Sequence, residues 1–207
     1  MGLTGSIGMG KSAAANIFRS LGIPVFDSDK EAHNLLKNDL GVFNFIKSNF
    51  PEAIINSQIS RQALGKLVFN NKKHLTLLET LLHPKIKSSQ RRFISSAKNR
   101  NKNLIVLDIP LLFETGAEKS CDAVMVVTAP KEVQKERVLG RPNMTASKFE
   151  EILQNQMPDE EKKKKADHII QTNLGLDKSF VEISTLIRNI KRRLKLGLSP
   201  IKGWELL

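Results

Sequence analysis

The chain has 207 residues, enough for one sizeable core with an insertion but not for two large independent domains. Its 40% hydrophobic and 26% charged residues are ordinary globular usage, so disorder is not the default, while a single cysteine, Cys121, excludes an intrachain disulfide. The net charge of +12 suits phosphate-rich partners, whether nucleotide, nucleic acid or membrane surface, and equally fits a lysine-rich solvated exterior.

Met1 to Thr4 precede a glycine-rich turn, and Ser12 to Leu21 reads as a helix with Ile17, Phe18 and Leu21 on one face, ended by Gly22. Ile23 to Phe26 is a short strand leading to Asp27-Ser28-Asp29. From Asp29 to Lys102 the pattern is mostly helical. Phe43, Phe45, Ile46 and Phe50 form one apolar cluster, stopped by Pro51. Leu64, Leu67 and Val68 form a second face, and Leu75, Leu78, Leu81 and Leu82 a third, stopped by Pro84; Ile86 to Arg100 then resumes as a polar helix.

Leu104 to Ile109 and Ala123 to Val127 are apolar runs such as buried parallel strands show, with Asp108 near the end of the first. Cys121 is expected to pack as a small hydrophobe. Lys131 to Leu139 reads as a helix, the stretch from Arg141 to Thr145 as a loop, and Ala146 to Met157 as a helix stopped by Pro158. Lys162 to Lys165 reads as a solvated face and His168 to Ile170 as a further strand. Asp177 to Leu196 reads as an amphipathic helix burying Phe180, Ile183, Ile187, Ile190 and Leu194. Alternation of short apolar strands with helices predicts an α/β fold: a parallel sheet with helices on both faces and a helical insertion between its second and third strands. No apolar run is long enough to span a membrane and no secretory leader opens the chain, so a soluble cytoplasmic protein is expected.

Gly5-Ser6-Ile7-Gly8-Met9-Gly10-Lys11-Ser12 matches G-x-x-x-x-G-K-[ST] at every fixed position, ahead of a helix. Such a loop turns its backbone N–H groups toward a polyphosphate, and the helix N-terminus adds positive charge. Lys11 is placed to reach the β and γ phosphates of a nucleoside triphosphate and the Ser12 hydroxyl to join a Mg2+ shell, with Ala13 completing the nucleotide cradle. Asp108 reads either as a second magnesium-side carboxylate or as a strand-end cap. Asp27 and Asp29 fall on the ligand-binding edge of such a sheet; alternation in an extended segment points both the same way. One of them suits a helix cap and Asp29 suits a proton acceptor for a hydroxyl. Arg137 and Arg141, four apart before a loop, suit either a phosphate clamp or favourable charges at a helix end. His83 is a weaker signal, and the basic C-terminal helix fits core packing better than a membrane surface.

Taken together, these motifs resemble the dephospho-CoA kinase family over about residues 2 to 175. The resemblance is carried by Gly2-Leu3-Thr4 running into the P-loop, Val25-Phe26-Asp27-Ser28-Asp29, Leu82-His83-Pro84, Ile109-Pro110-Leu111-Leu112-Phe113-Glu114, Arg137 through Arg141, Gln156-Met157-Pro158 and Ala166-Asp167. It implies transfer of the γ-phosphoryl of ATP, as its magnesium complex, to the ribose 3′-hydroxyl of dephospho-CoA. It implies a P-loop kinase-type core with five parallel strands, a helical acceptor domain and a short lid. The corresponding boundaries are residues 1–29, 103–136 and 161–207 for the core, 30–102 for the acceptor insertion and 137–160 for the lid. By resemblance Asp29 is the general base, Arg137 and Arg141 belong to the lid, and Asp27, His83, Leu111, Phe113 and Glu114 line the acceptor side. Gln171-Thr172-Asn173 stands where the family places residues near the adenine.

A nucleoside or nucleotide kinase of the same fold is the alternative enzyme, differing in the acceptor segment. A nucleic-acid-binding module is disfavoured, because stacking platforms are expected in single-strand binders and the chain has no tyrosine and one tryptophan, Trp204. The expected partner is the small acceptor dephospho-CoA, with no specific nucleic acid, no membrane, and a monomer or weak homo-oligomer.

Overall fold

The computed structural model describes residues 1–69 and 71–196; Trp204 lies outside the described residues. Five strands, β1 (Gly2–Thr4), β2 (Val25–Asp27), β5 (Val106–Asp108), β6 (Val124–Thr128) and β7 (His168–Gln171), form a parallel sheet in the order β2-β5-β1-β6-β7. A two-residue pair, β3 (Ile54–Ile55) and β4 (Gln58–Ile59), forms a separate antiparallel hairpin. The strand β1 sits at the centre, with Leu3 opposite both Asp108 and Met125.

The alternation of β6 explains why both sheet faces are covered. Met125 and Val127 join Phe18 and Ala14 of α1 (Lys11–Ser20) and Ile183, Ile187 and Ile190 of α9 (Leu176–Lys195) in one core. Val124 and Val126 point the other way, onto Leu112 and Phe113. Cys121 packs beside that second cluster, and burial pushes its thiol pKa up, so it behaves as the expected small hydrophobe.

The chain divides into two compact units: Met1–Phe26 with Ala97–Leu207, and Asp27–Ser96. The second has its own core, built from Leu35, Val42, Ile46, Phe50, Leu64 and Leu82. Its helices are α2 (Ser28–Asn38), α3 (Leu40–Asn49), α4 (Arg61–Phe69) and α5 (Lys72–Asn99), the last leaving this unit in its final turn. The β3–β4 hairpin had no sequence signal of its own. Its turn residues Asn56 and Ser57 both have positive φ, 49° and 60°, the backbone a two-residue hairpin loop needs, without the usual glycine.

Several expectations are corrected. Pro84 does not stop a helix but lies inside α5. Leu78, Leu81, Leu82 and Ile86 pack into one core on both sides of it, and that burial outweighs the backbone bond the proline removes. Phe180 is 43% exposed, whereas Ile183, Ile187 and Ile190 are buried; the apolar face of α9 starts a turn later than the pattern suggests. The solvated lysine run is also wrong at one position: in α8 (Asp159–Lys165), Lys162 is fully buried. Among the described residues no helix is long and apolar enough to cross a membrane.

Candidate active site

The P-loop joins β1 to α1 at the centre of the sheet, and its glycines are demanded by close approach. A Cβ on Gly5 would lie 2.5 Å from Val127 Cγ2 and 2.7 Å from the Val127 carbonyl oxygen, so the loop is seated directly on β6. Gly8 has φ +79°, and a Cβ there would lie 2.6 Å from Val138 Cγ2 of α6 (Lys131–Leu139). Gly10 caps α1 in the left-handed region, and no acidic residue stands in the first turn of α1, which leaves the helix N-terminus electropositive. The Lys11 ammonium donates to Asp108 Oδ1 at 2.5 Å. Asp108, 2% exposed at the end of β5, therefore draws the lysine to the strand ends, where ligands bind in open parallel sheets. Ser6 is buried; Ser12 is exposed at the start of α1 and Ala13 is half-buried behind it.

Ile7 and Met9 are held from outside the loop. Gln134 Nε2 of α6 donates to the Ile7 carbonyl at 2.7 Å, and the Ile7 N–H donates to Gln156 Oε1 at 3.0 Å. The Ala129 N–H donates to Met9 Sδ at 3.1 Å. Thr172 Oγ1 donates to the Met9 carbonyl at 2.9 Å.

Arg137, in the last turn of α6, donates to Thr172 Oγ1 and to the Thr172 carbonyl, each at 2.9 Å, and reaches the Gly8 carbonyl at 3.4 Å. It thus ties the P-loop to the turn after β7. Arg141 lies just beyond the helix and is exposed. The segment after β5 places Leu111 at 37% exposure and buries Phe113 in the core. Glu114 Oε1 accepts the Met157 N–H at 2.8 Å and pairs with the buried Lys162 ammonium at 2.9 Å.

Asp27, Asp29 and His83 belong to the other compact unit. The expected extended run through both acids is corrected, because a helix starts at Ser28. Asp27 Oδ1 accepts the Lys30 N–H at 2.9 Å, making it the N-cap of α2, and Asp29 stands exposed in the first turn of that helix. His83 is exposed on α5, next to Pro84.

The dephospho-CoA kinase family profile matches residues 1–178 of this chain. The chain belongs to the dephospho-CoA kinase family. It is 41% identical to the dephospho-CoA kinase of Bartonella quintana over 190 residues, covering 92% of this chain and 97% of that one. The Novosphingobium aromaticivorans dephospho-CoA kinase is 44% identical over 193 residues, 93% of this chain and 95% of its own. The solved dephospho-CoA kinase from Campylobacter jejuni superposes with a TM-score of 0.65 at 32% identity, covering 90% of this chain and 95% of that one.

For a dephospho-CoA kinase family member, the P-loop, Asp108, Arg137 and Glu114 all fall within one compact unit, as do Gln134 and Lys162, which carry no functional signal in the sequence, and Gln156 and Thr172, which only the family resemblance marks. Gln156 stood in the Gln156-Met157-Pro158 motif, which marked it without saying what it does. Gln134 sits in a helix of mixed polarity, and nothing in its neighbours sets it apart from Lys135 or Glu136. Only the tertiary structure shows that it is 5% exposed.

Proposed function

We propose that this chain carries out the family's reaction, transfer of the γ-phosphoryl of ATP to the ribose 3′-hydroxyl of dephospho-CoA to give CoA and ADP, with the following division of labour. The observation that carries the reading is the Lys11–Asp108 contact at the mouth of the P-loop. It holds an ammonium at the mouth of the loop, beside the α1 N-terminus, which supports Lys11 as the group that would meet the β and γ phosphates.

Magnesium fits this site. Such an ion keeps several waters and takes one or two protein oxygens together with phosphate oxygens. A strand-end carboxylate on Asp108 and a hydroxyl on Ser12 provide that donor set. Among the described residues no three His, Cys, Asp or Glu side chains gather into a cage, so the nucleotide would complete the shell. When bound, the ion neutralises charge on the phosphates.

Asp29 takes the proton from the acceptor hydroxyl, a role its place in the Asp-x-Asp motif supports now that Asp27 is engaged as the helix cap. Arg141 meets the charge that develops on the transferred group, and the segment 137–160 serves as the lid. Leu111, Phe113, Glu114 and His83 shape the acceptor side, Leu111 by contact and Phe113 and Glu114 by holding the segment from within.

Asp29→Asn keeps the size of the side chain and removes its basicity. It should lower kcat by roughly 10²–10⁴-fold with little change in KM for ATP. Turnover within a few-fold of the parent, in a variant with an unaltered circular dichroism spectrum, would remove Asp29 from the base role.

A further inference from the structure

The Ile7 residue lies in the middle of the phosphate loop, and both of its backbone polar groups are taken by glutamine side chains from elsewhere in the fold. Gln134 donates to its carbonyl at 2.7 Å and Gln156 accepts its N–H at 3.0 Å. Gln134 is fixed by burial in α6. Gln156 is fixed by its neighbour: the Met157 N–H donates to Glu114 Oε1, and the same carboxylate oxygen is 2.9 Å from the Lys162 ammonium.

That ammonium is fully buried in α8 and is paired with the Glu114 carboxylate. A buried charge is retained only with a partner, and removing the partner leaves the charge uncompensated. The pair therefore holds the Glu114 carboxylate where it accepts the Met157 N–H, next to the Gln156 residue. A loop that must present several N–H groups to a polyphosphate in one geometry gains from being set before the ligand arrives, because ordering it afterwards subtracts from binding and from transition-state stabilisation.

We propose that Gln134 and Gln156 are positioning residues for phosphoryl transfer. They clamp the Ile7 backbone between them and so hold the P-loop in its nucleotide-receiving form, with the Glu114–Lys162 pair keeping Gln156 in place. The two act on one residue and in opposite senses, Gln134 as donor and Gln156 as acceptor. That asymmetry gives the clamp a signature that loss of general stability does not have.

The inference rests on the P-loop reading above, and the experiment separates the two. Steady-state kinetics with ATP and dephospho-CoA are measured for Gln156→Ala, Gln156→Glu, Gln134→Glu and Lys11→Ala, with thermal melts alongside. Gln156→Glu keeps an acceptor for the Ile7 N–H; Gln134→Glu sets a carboxylate against the Ile7 carbonyl; both change the charge equally. The clamp predicts that KM for ATP rises about tenfold in Gln156→Ala while KM for dephospho-CoA holds. It also predicts kcat/KM for ATP at least several-fold lower in Gln134→Glu than in Gln156→Glu. Equal effects of the two glutamates, or equal changes in both KM values, would overturn it. If Gln156→Ala fails to fold, the two glutamate variants decide alone. Inert glutamine variants beside a damaged Lys11→Ala would sink the clamp only, whereas an undamaged Lys11→Ala would sink the P-loop reading.

Discussion

Arg137 and Arg141 have the same side chain and sit one helical turn apart, yet the fold uses them differently. Arg137 is half-buried, and its guanidinium is committed to Thr172 and the Gly8 carbonyl. Arg141 is exposed past the end of α6. Removing Arg137 should therefore cost both stability and nucleotide affinity, because it loosens the P-loop from the turn after β7. Removing Arg141 should leave the melt within about 2 °C of the parent, as surface substitutions do, and lower kcat by roughly 10-fold or more if the residue meets transition-state charge. A melt and a kinetic comparison of Arg137→Ala with Arg141→Ala checks this; a pure KM effect in Arg141→Ala would mark ground-state binding instead.

The P-loop was legible because its chemistry demands fixed residues at fixed spacing, and the contacts at Gly5, Gly8 and Gly10 show that demand in the fold. Lys162 was not legible. In Lys162-Lys163-Lys164-Lys165 nothing local distinguishes the lysine that faces Glu114 from the one that pairs with Glu160, because the partner is remote in sequence.

At the level of elements, strands and helices were read where apolar spacing is strong, as in β6 and most of α9. Pro84 was misread, because local backbone rules carry no account of the leucines that α5 buries on either side. The strand β7 makes a pH prediction. His168 is buried there, and burial pushes its imidazole pKa down, against an opposing pull from Asp167. The folded protein then binds fewer protons than the unfolded chain below about pH 6.5. The stability this provides is present above that pH and is lost as pH falls through the unfolded value toward the lower folded one. The melting temperature of the parent should fall between pH 7.5 and 5, and less steeply in His168→Gln. An identical slope in both would assign the acid sensitivity to other groups.

Over the whole molecule, the alternation of strand and helix gave the parallel sheet with its inserted helices, because only crossover connections return parallel strands to one sheet. The order β2-β5-β1-β6-β7 was not legible, since strand neighbours are chosen by packing between remote segments. The acceptor was likewise beyond composition and spacing; it came from the Pro110-to-Glu114 and Asp-x-Asp motifs, which mark the family. The central claim is tested most directly by mixing the purified protein with ATP, magnesium and dephospho-CoA, following ADP release and identifying the product by mass. ADP release that depends on dephospho-CoA, at about 1–100 s⁻¹ as in other kinases and matched by CoA, is the expected result. No turnover with dephospho-CoA, alongside turnover with a nucleoside or nucleotide, would contradict it.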